Sequence, residues 1–114
     1  MSGALSHLRV LDLSRVLAGP WASQLLADLG AEVIKVEKPG SGDDTRHWGP
    51  PWLADGDGQP TREAAYYLCT NRNKRSLTVD MTTPEGQALI RELAAAADVV
   101  LENFKVGGLV PYGL

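Results

Sequence analysis

Residues 9–38 read RVLDLSRVLAGPWASQLLADLGAEVIKVEK, and this stretch decides the fold of the chain. The apolar run at 9–13 predicts a buried strand, and the run at 31–36 predicts a second one. Between them, apolar residues recur at helical spacing from Pro20, which suits the first helical position, to Gly30, which suits the left-handed residue after a helix. The stretch therefore predicts a strand, a helix and a strand.

The remainder of the chain continues this alternation. Residues 76–81 alternate like a strand, Thr82 or Thr83 can cap a helix that contains Pro84, and residues 98–101 predict a third core strand. Thr82 with Glu85 fits a capping box. Residues 39–63 predict a long irregular segment, and residues 64–70 are ambiguous between helix and strand. Alternating strands and helices favour an α/β layered unit with a mostly parallel sheet.

Composition narrows the class of protein. The 114 residues carry a net charge of −3, which argues against a dedicated nucleic-acid binder. No apolar run approaches the roughly 20 residues of a membrane span, and the first residues do not resemble a signal peptide. The single Cys69 favours a reducing cytoplasm, and the isolated His7 and His47 predict no metal site.

The loop at 14–20 is the first candidate site. Its backbone amides and the start of the helix would favour an anion, although a plain turn between strand and helix is the more common explanation of such a loop. A dinucleotide-binding fingerprint needs three glycines, and this loop offers only Gly19. Glu37 follows Gly19 by 18 residues, which is close to the sequence separation of the ribose-binding acid in that fingerprint. Because the other glycines are missing, we interpret Glu37 as a solvated residue at the end of a strand.

Two further segments allow both a functional and a structural interpretation. The cations Arg72, Lys74 and Arg75 could grip phosphates, but a short charge run is usually a solvated turn. Phe104 could stack on a base and Lys105 could meet a phosphate, or Phe104 could plug the core edge. Cys69 lies in an apolar context that predicts a buried small side chain.

Three segments together resemble the class III CoA-transferases, the family of formyl-CoA transferase and carnitine-CoA transferase. They are LDLSRVLAGPWASQLLADLGAEVIKVEKPGSGDDTRHWGPP at 11–51, AAYYLCTNRNKRSLTVDMTTPEG at 64–86 and ADVVLENF at 97–104. The likeness runs almost continuously from about residue 5 to residue 104. The forms VLAGP and GDDTR-x-WGPP are most similar to members that act on dicarboxylates, such as the glutarate-type enzymes.

This resemblance implies a fold and a reaction. Family members are much longer, with a large Rossmann-like domain, a small domain and two interlocked chains, so residues 1–114 would be the N-terminal segment of a three-layer, CoA-binding large domain. CoA would pass from an acyl-CoA to a carboxylic acid through an aspartyl-CoA intermediate, with CoA as a substrate and no covalently bound cofactor. The family's aspartate lies beyond Leu114, so the catalytic and small-domain regions are absent and the chain alone is expected to be inactive.

The resemblance also assigns site residues. Arg15, Val16 and Leu17 match the loop that meets the reactive end of CoA, and Leu17 stands where some members have a glutamine. Lys38 matches a basic residue near the adenosine, and the segment 79–82, with Val79 and Thr82, lies beside the adenine. A further part of the CoA pocket is matched by Asn103, Phe104 and Lys105. Pro111 stands near a position that is often basic in the family.

Three other functions remain open at this point. The chain could be a non-catalytic CoA-binding or assembly module, or part of an acyl-CoA racemase of the same superfamily. A dinucleotide oxidoreductase is a more distant alternative. The isolated segment is also expected to leave an apolar sheet edge open, because later residues would complete the sheet.

Overall fold

The structure is a computed structural model that describes residues 3–114. Its strands and helices, in chain order, are β1 (Arg9–Asp12), α1 (Ala18–Asp28), β2 (Glu32–Glu37), β3 (Trp52–Ala54), β4 (Pro60–Ala64), α2 (Ala65–Thr70), β5 (Arg75–Thr78), α3 (Pro84–Ala96) and β6 (Val99–Leu101). Short 3-10 turns lie at Asp44–His47 and Val110–Tyr112. Among the described residues, no helix is both long and apolar enough to cross a bilayer.

A four-stranded parallel sheet forms the centre of the fold, in the order β5-β2-β1-β6. The chain moves outward from β1 through β2 to β5, and then returns to place β6 on the other side of β1. This is the order of one half of a Rossmann sheet, in which ligands bind beyond the carboxyl ends of the strands. The predicted α/β class with a mostly parallel sheet is confirmed.

Successive residues of the central strands point into two separate cores. Val10 and Val33 pack with Ala27 of α1 on one face of the sheet. Leu11 packs with Ile90 of α3 on the opposite face. Because side chains alternate along a strand, the apolar run of β1 serves both layers. The helices therefore cover both faces, which confirms the three-layer arrangement.

The two long helices differ in how well the sequence predicted their starts: α3 begins at Pro84, as predicted, and α1 does not begin at Pro20. Helix α1 begins at Ala18, so Pro20 is its third residue rather than its first. Helix α3 is capped by Thr83, whose hydroxyl accepts a hydrogen bond from the Gly86 N–H at 3.0 Å. The capping box at Thr82 was wrong, because the Thr82 hydroxyl donates to Asp80 instead, at 2.6 Å.

The segment 39–63 is more ordered than predicted. It contains the 3-10 turn and the antiparallel hairpin of β3 and β4. Asp55 closes the hairpin turn, because its carboxylate accepts hydrogen bonds from the N–H groups of Asp57 and Gln59, each at 2.9 Å. Aspartate commonly stabilises turns by such bonds to the backbone. The ambiguous residues after the hairpin form helix α2.

Strand β6 lies at an edge of the sheet rather than in its core. Val99 and Val100 are 37% and 46% exposed, so the prediction of a third core strand was wrong in this respect. The sequence pattern of three apolar residues is the same for an edge strand and for a central one. Within residues 3–114, the outer side of β6 is an open edge of the sheet.

Candidate functional site

A cavity of about 320 Å³ opens beyond the carboxyl ends of β1, β2 and β5. Of the residues that the resemblance assigned to CoA, those that line the cavity are Arg15, Lys38, Val79, Thr82 and Phe104. Tyr112, in the second 3-10 turn, lines it too. Sequence reasoning missed Tyr112, because the glycine-rich tail shows no periodicity that would place it.

The other assigned residues do not line the cavity. Leu17 directly precedes α1, makes no side-chain capping bond and is 40% exposed, and Lys105 is exposed. Val16 is half-buried in the loop between β1 and α1. Asn103 braces the same loop, because its side chain accepts from the Arg15 N–H at 3.0 Å and donates to the Arg15 carbonyl at 2.7 Å.

Side chains from three parts of the fold hold the backbone of this loop. The Ser14 N–H donates to Asp12 at 2.8 Å, and the Arg15 N–H donates to Asn103. The Val16 N–H lies 3.2 Å and 3.4 Å from the two carboxylate oxygens of Asp43. These three amides are therefore occupied, and they cannot bind an anion in the way that the sequence suggested. Any anion near the loop must be met by side chains or by the helix start.

Asp12 forms a fully buried network beneath the loop. Its carboxylate accepts hydrogen bonds from the hydroxyls of Ser14 and Ser23 and from the Lys74 ammonium, the last at 3.3 Å. Burial lowers the pKa of Lys74 to about 8, although the Asp12 carboxylate acts in the opposite direction. The interpretation of the basic cluster as a solvated turn was therefore wrong for Lys74, whose side chain is only 2% exposed.

Glu37 is the centre of a second buried network. Its carboxylate accepts hydrogen bonds from Arg46 at 2.7 Å and 2.8 Å, from the Tyr67 hydroxyl at 3.1 Å and from the Ser76 hydroxyl. Burial alone would raise the pKa of Glu37, but the hydrogen bonds from Arg46, Ser76 and the Asp43 N–H outweigh it and lower that pKa to about 2. The interpretation of Glu37 as a solvated strand end was wrong.

Asp43 and Lys35 form a third buried pair at the wall of the cavity. Their charged groups are 2.9 Å apart, and each side chain is 1% exposed. Burial would raise the pKa of Asp43, but hydrogen bonds from Thr45 and the ammonium of Lys35 hold it below its usual value. A buried ion pair of this kind contributes little net stability, yet breaking it by removing one partner is strongly destabilising.

Two cations of the cavity remain available to a ligand. Arg15 and Lys38 form no salt bridge within residues 3–114. The Arg15 guanidinium lies 4.0 Å from the centre of the Phe104 ring, which also packs against the core around Leu11. Phe104 thus closes the core edge, as its structural interpretation predicted, and its ring also lies beneath the Arg15 cation.

The remaining candidates are surface features. Arg72 forms an exposed ion pair with Asp28 at 2.7 Å, and Arg75 pairs with Glu32 at 3.2 Å. Cys69 is exposed, so the prediction of a buried cysteine was wrong. The residues around it are apolar in sequence, but α2 turns this position outward. Within residues 3–114 no group of three or more His, Cys, Asp or Glu side chains is placed to hold a metal ion.

Strand order and site together define a class of protein: a Rossmann-like α/β domain with a cation-bearing cavity beyond the carboxyl ends of its strands. The sequence profile described as CoA-transferase family III matches residues 5–114. The chain therefore belongs to CoA-transferase family III, which confirms the resemblance seen in the sequence.

Individual relatives agree with this assignment. The chain is 62% identical to a succinate–glutarate CoA-transferase of Agrobacterium fabrum over 110 residues, which cover 96% of this chain and 27% of the relative. It is 53% identical to a human succinyl-CoA:glutarate CoA-transferase, over 96% of this chain and 24% of that protein. A crystal structure of a CAIB/BAIF family protein from Brucella suis is 55% identical and superimposes with a TM-score of 0.89, covering all of this chain and 29% of its own. The chain thus spans about a quarter of the length of these curated relatives.

Proposed function

We propose that this chain is the CoA-binding, N-terminal segment of an enzyme that transfers CoA from an acyl-CoA to a free carboxylic acid. The observation that carries the proposal is the cavity in which Arg15 and Lys38 lie beside Val79 and Phe104 and form no salt bridge with any other residue of the segment 3–114. CoA combines phosphates with an adenine ring, and such a ligand needs cations next to apolar walls. The names of the relatives favour succinyl-CoA as the donor and glutarate, or a similar dicarboxylate, as the acceptor.

In this proposal each assigned residue has a part in binding CoA. Arg15, Val16 and Leu17 form the loop at the reactive end. Lys38 lies near the adenosine, with Val79 and Thr82 beside the adenine. Asn103, Phe104 and Lys105 form a further wall. Leu17 cannot donate the hydrogen bond that a glutamine would provide there, so Leu17 acts only through its apolar surface.

The chemical steps require a carboxylate beyond Leu114. An aspartate oxygen would attack the thioester carbon of the donor, the C–S bond would break, and CoA would leave as its thiolate. The thiolate would then attack the aspartyl carbonyl of the resulting anhydride and release the donor acid, which gives the aspartyl-CoA thioester. The acceptor carboxylate would repeat the two steps in reverse order. Covalent catalysis of this kind replaces one difficult transfer by easier ones.

Residues 1–114 alone are proposed to lack transfer activity, since none of their carboxylates is assigned the role of nucleophile. The test is to compare this chain with the full-length protein that carries it, using succinyl-CoA and glutarate and following glutaryl-CoA by chromatography. We expect product only with the full-length protein. Product from the 114-residue chain would disprove the requirement for the downstream aspartate. Absence of product from both, with epimerisation of a chiral 2-methylacyl-CoA, would favour a racemase.

Arg15 gives a sharper test of the site. Replacing Arg15 by Met keeps much of its apolar stem but removes the cation above Phe104. We expect the Kd for CoA to rise about 10- to 100-fold, as for loss of a charge-assisted bond worth about 1.5–3 kcal/mol. Arg62→Met is the matched control, because Arg62 is exposed on β4 and does not line the cavity. Equal Kd values for the two variants would show that the cavity is not the CoA site.

Two further properties belong to the whole protein. We propose that it forms the interlocked dimer of its family and that it works in the cytoplasm. Light scattering of the full-length protein tests the first, and a monomer would contradict it. Cell fractionation tests the second.

A further inference from the structure

Val16 has a backbone conformation that is unusual for its residue type. Its φ of +73° lies in the left-handed region, where a β-branched residue is a genuine outlier. Such a conformation is strained and persists only where the surroundings impose it. Val16 stands between Arg15, which lines the cavity, and Leu17, which directly precedes α1. Its conformation therefore sets the direction of the chain between the site and the helix.

The group that holds Val16 comes from a distant part of the chain. The Val16 N–H points between the two oxygens of Asp43, 27 residues later, at 3.2 Å and 3.4 Å. Asp43 is 3% exposed. Its oxygens also accept hydrogen bonds from Lys35 at 2.9 Å, from the Thr45 N–H at 3.0 Å and from the Thr45 hydroxyl at 2.9 Å.

This arrangement leaves Asp43 no capacity for a ligand. A carboxylate offers about four acceptor positions, and protein donors occupy all of them here. Although Asp43 borders the cavity, the hydrogen bonds that its carboxylate accepts all come from protein groups. Lys35, its charged partner, extends the same support, because its ammonium also lies 3.3 Å from the Ser14 carbonyl oxygen. The pair thus contacts the loop on both sides of Arg15.

We infer that Asp43 is a positioning residue for CoA binding: it holds Val16 in the left-handed conformation and thereby directs Arg15 into the cavity. The inference rests on the proposed function, since it takes the cavity as the CoA site. A merely structural role would be different. With a structural role alone, Asp43 would only neutralise Lys35, and replacing Asp43 would change the Kd for CoA by the same factor whichever residue stands at position 16.

A double-mutant cycle separates the two roles. Asp43→Asn keeps the shape of the side chain but weakens its hold on the loop. In Val16→Gly the left-handed conformation no longer has to be imposed by Asp43, because glycine adopts positive φ without strain. Asn73→Gly is the matched control, since Asn73 is the other described non-glycine residue with positive φ, at +64°, and bonds to Asp28 rather than to Asp43. Each variant is made in the full-length protein, and the Kd for CoA is measured by isothermal titration calorimetry.

We expect Asp43→Asn to raise the Kd about tenfold, because the loop would lose part of the hold on its strained residue. In the Val16→Gly background the same substitution should change the Kd less than about threefold, whereas the tenfold effect should persist in the Asn73→Gly background. An equal loss in all backgrounds would overturn the inference, and so would an unchanged Kd in a folded Asp43→Asn protein.

Unfolding is a separate consequence and is measured separately. Asp43→Asn leaves the buried ammonium of Lys35 without its partner, so the melting temperature should fall similarly in every background. If the Asp43→Asn protein does not fold, the double substitution Lys35→Met with Asp43→Asn removes both charges and takes its place in the cycle. The Kd for CoA is then compared in the Val16→Gly and Asn73→Gly backgrounds, and the same results support or overturn the inference. Full-length protein that binds CoA without transferring it would contradict only the proposed function. Protein that does not bind CoA would contradict both.

Discussion

Glu37→Gln is the substitution that most directly tests the physical account of this fold. The carboxylate of Glu37 accepts hydrogen bonds from Arg46, Tyr67 and Ser76 and from the Asp43 N–H, so every neighbour is a donor. Glutamine has nearly the same shape, but it places an NH₂ group among these donors and removes the charge that pairs with Arg46. The substitution therefore keeps the volume of the side chain but removes its charge and the hydrogen bonds that one carboxylate oxygen accepts.

The size of the effect follows from the pKa of Glu37. The pKa is about 2 in the folded protein, against 4.5 for the unperturbed group. At 1.36 kcal/mol for each pKa unit, the ionised form stabilises the fold by about 3 kcal/mol at neutral pH. Because the folded pKa is depressed, this stability is fully present above pH 4.5 and is lost as the pH falls toward 2. At pH 3 less than half of it should remain.

The assay is urea unfolding of the 114-residue chain and its variants between pH 3 and pH 7. Glu37→Gln should reduce the free energy of unfolding by about 3 kcal/mol at pH 7, and the difference from the unmodified chain should shrink as the pH falls. Glu32→Gln on the same strand is the control, because Glu32 is 39% exposed and its ion pairs should contribute at most about 1 kcal/mol. A difference at Glu37 that stays constant between pH 7 and pH 3 would refute the reasoning.

Two further predictions concern single contacts. Gly86→Ala should lower the free energy of unfolding by more than about 1 kcal/mol, because an added Cβ would collide with the Asp80 carbonyl oxygen, although alanine normally stabilises a helix relative to glycine. Gly56→Ala is the control: a Cβ there meets open space, so the same urea unfolding should show a change of less than about 0.5 kcal/mol. Cys69, being exposed, should react with a thiol reagent in the native protein, and labelling that appears only in urea would contradict the exposed position.

The fold could be predicted because its signals are local. The apolar runs of β1 and β2, and the helical spacing between them, depend on residues close in sequence. Burial on both faces is also visible there, since Val10 and Leu11 are consecutive apolar residues that serve opposite layers. The hairpin at 52–64 was missed because its strands are short and its turn residues are typical of irregular loops.

The polar networks could not be predicted, for a different physical reason. Glu37, Asp43 and Lys74 appear at positions where a charged side chain is usually solvated, and only the tertiary fold brings each to its partner. A charge is buried when opposite charges and donors surround it, and those partners lie up to 62 residues away in the case of Lys74 and Asp12. The family resemblance identified residues that line the cavity, but not the residues that hold them.

The strand order also has a consequence for biosynthesis. Among residues 3–114, β1 is the first strand to be made, yet one of its two neighbours, β6, is the last of this segment, and the Arg9 N–H bonds to Asp98, 89 residues further along. At bacterial and eukaryotic elongation rates of about 5–20 residues per second, roughly 5–20 s pass between the two. During that interval the nascent chain carries an apolar strand with one side unpaired, so the yield of folded protein should depend on elongation rate and on chaperones that cover this strand.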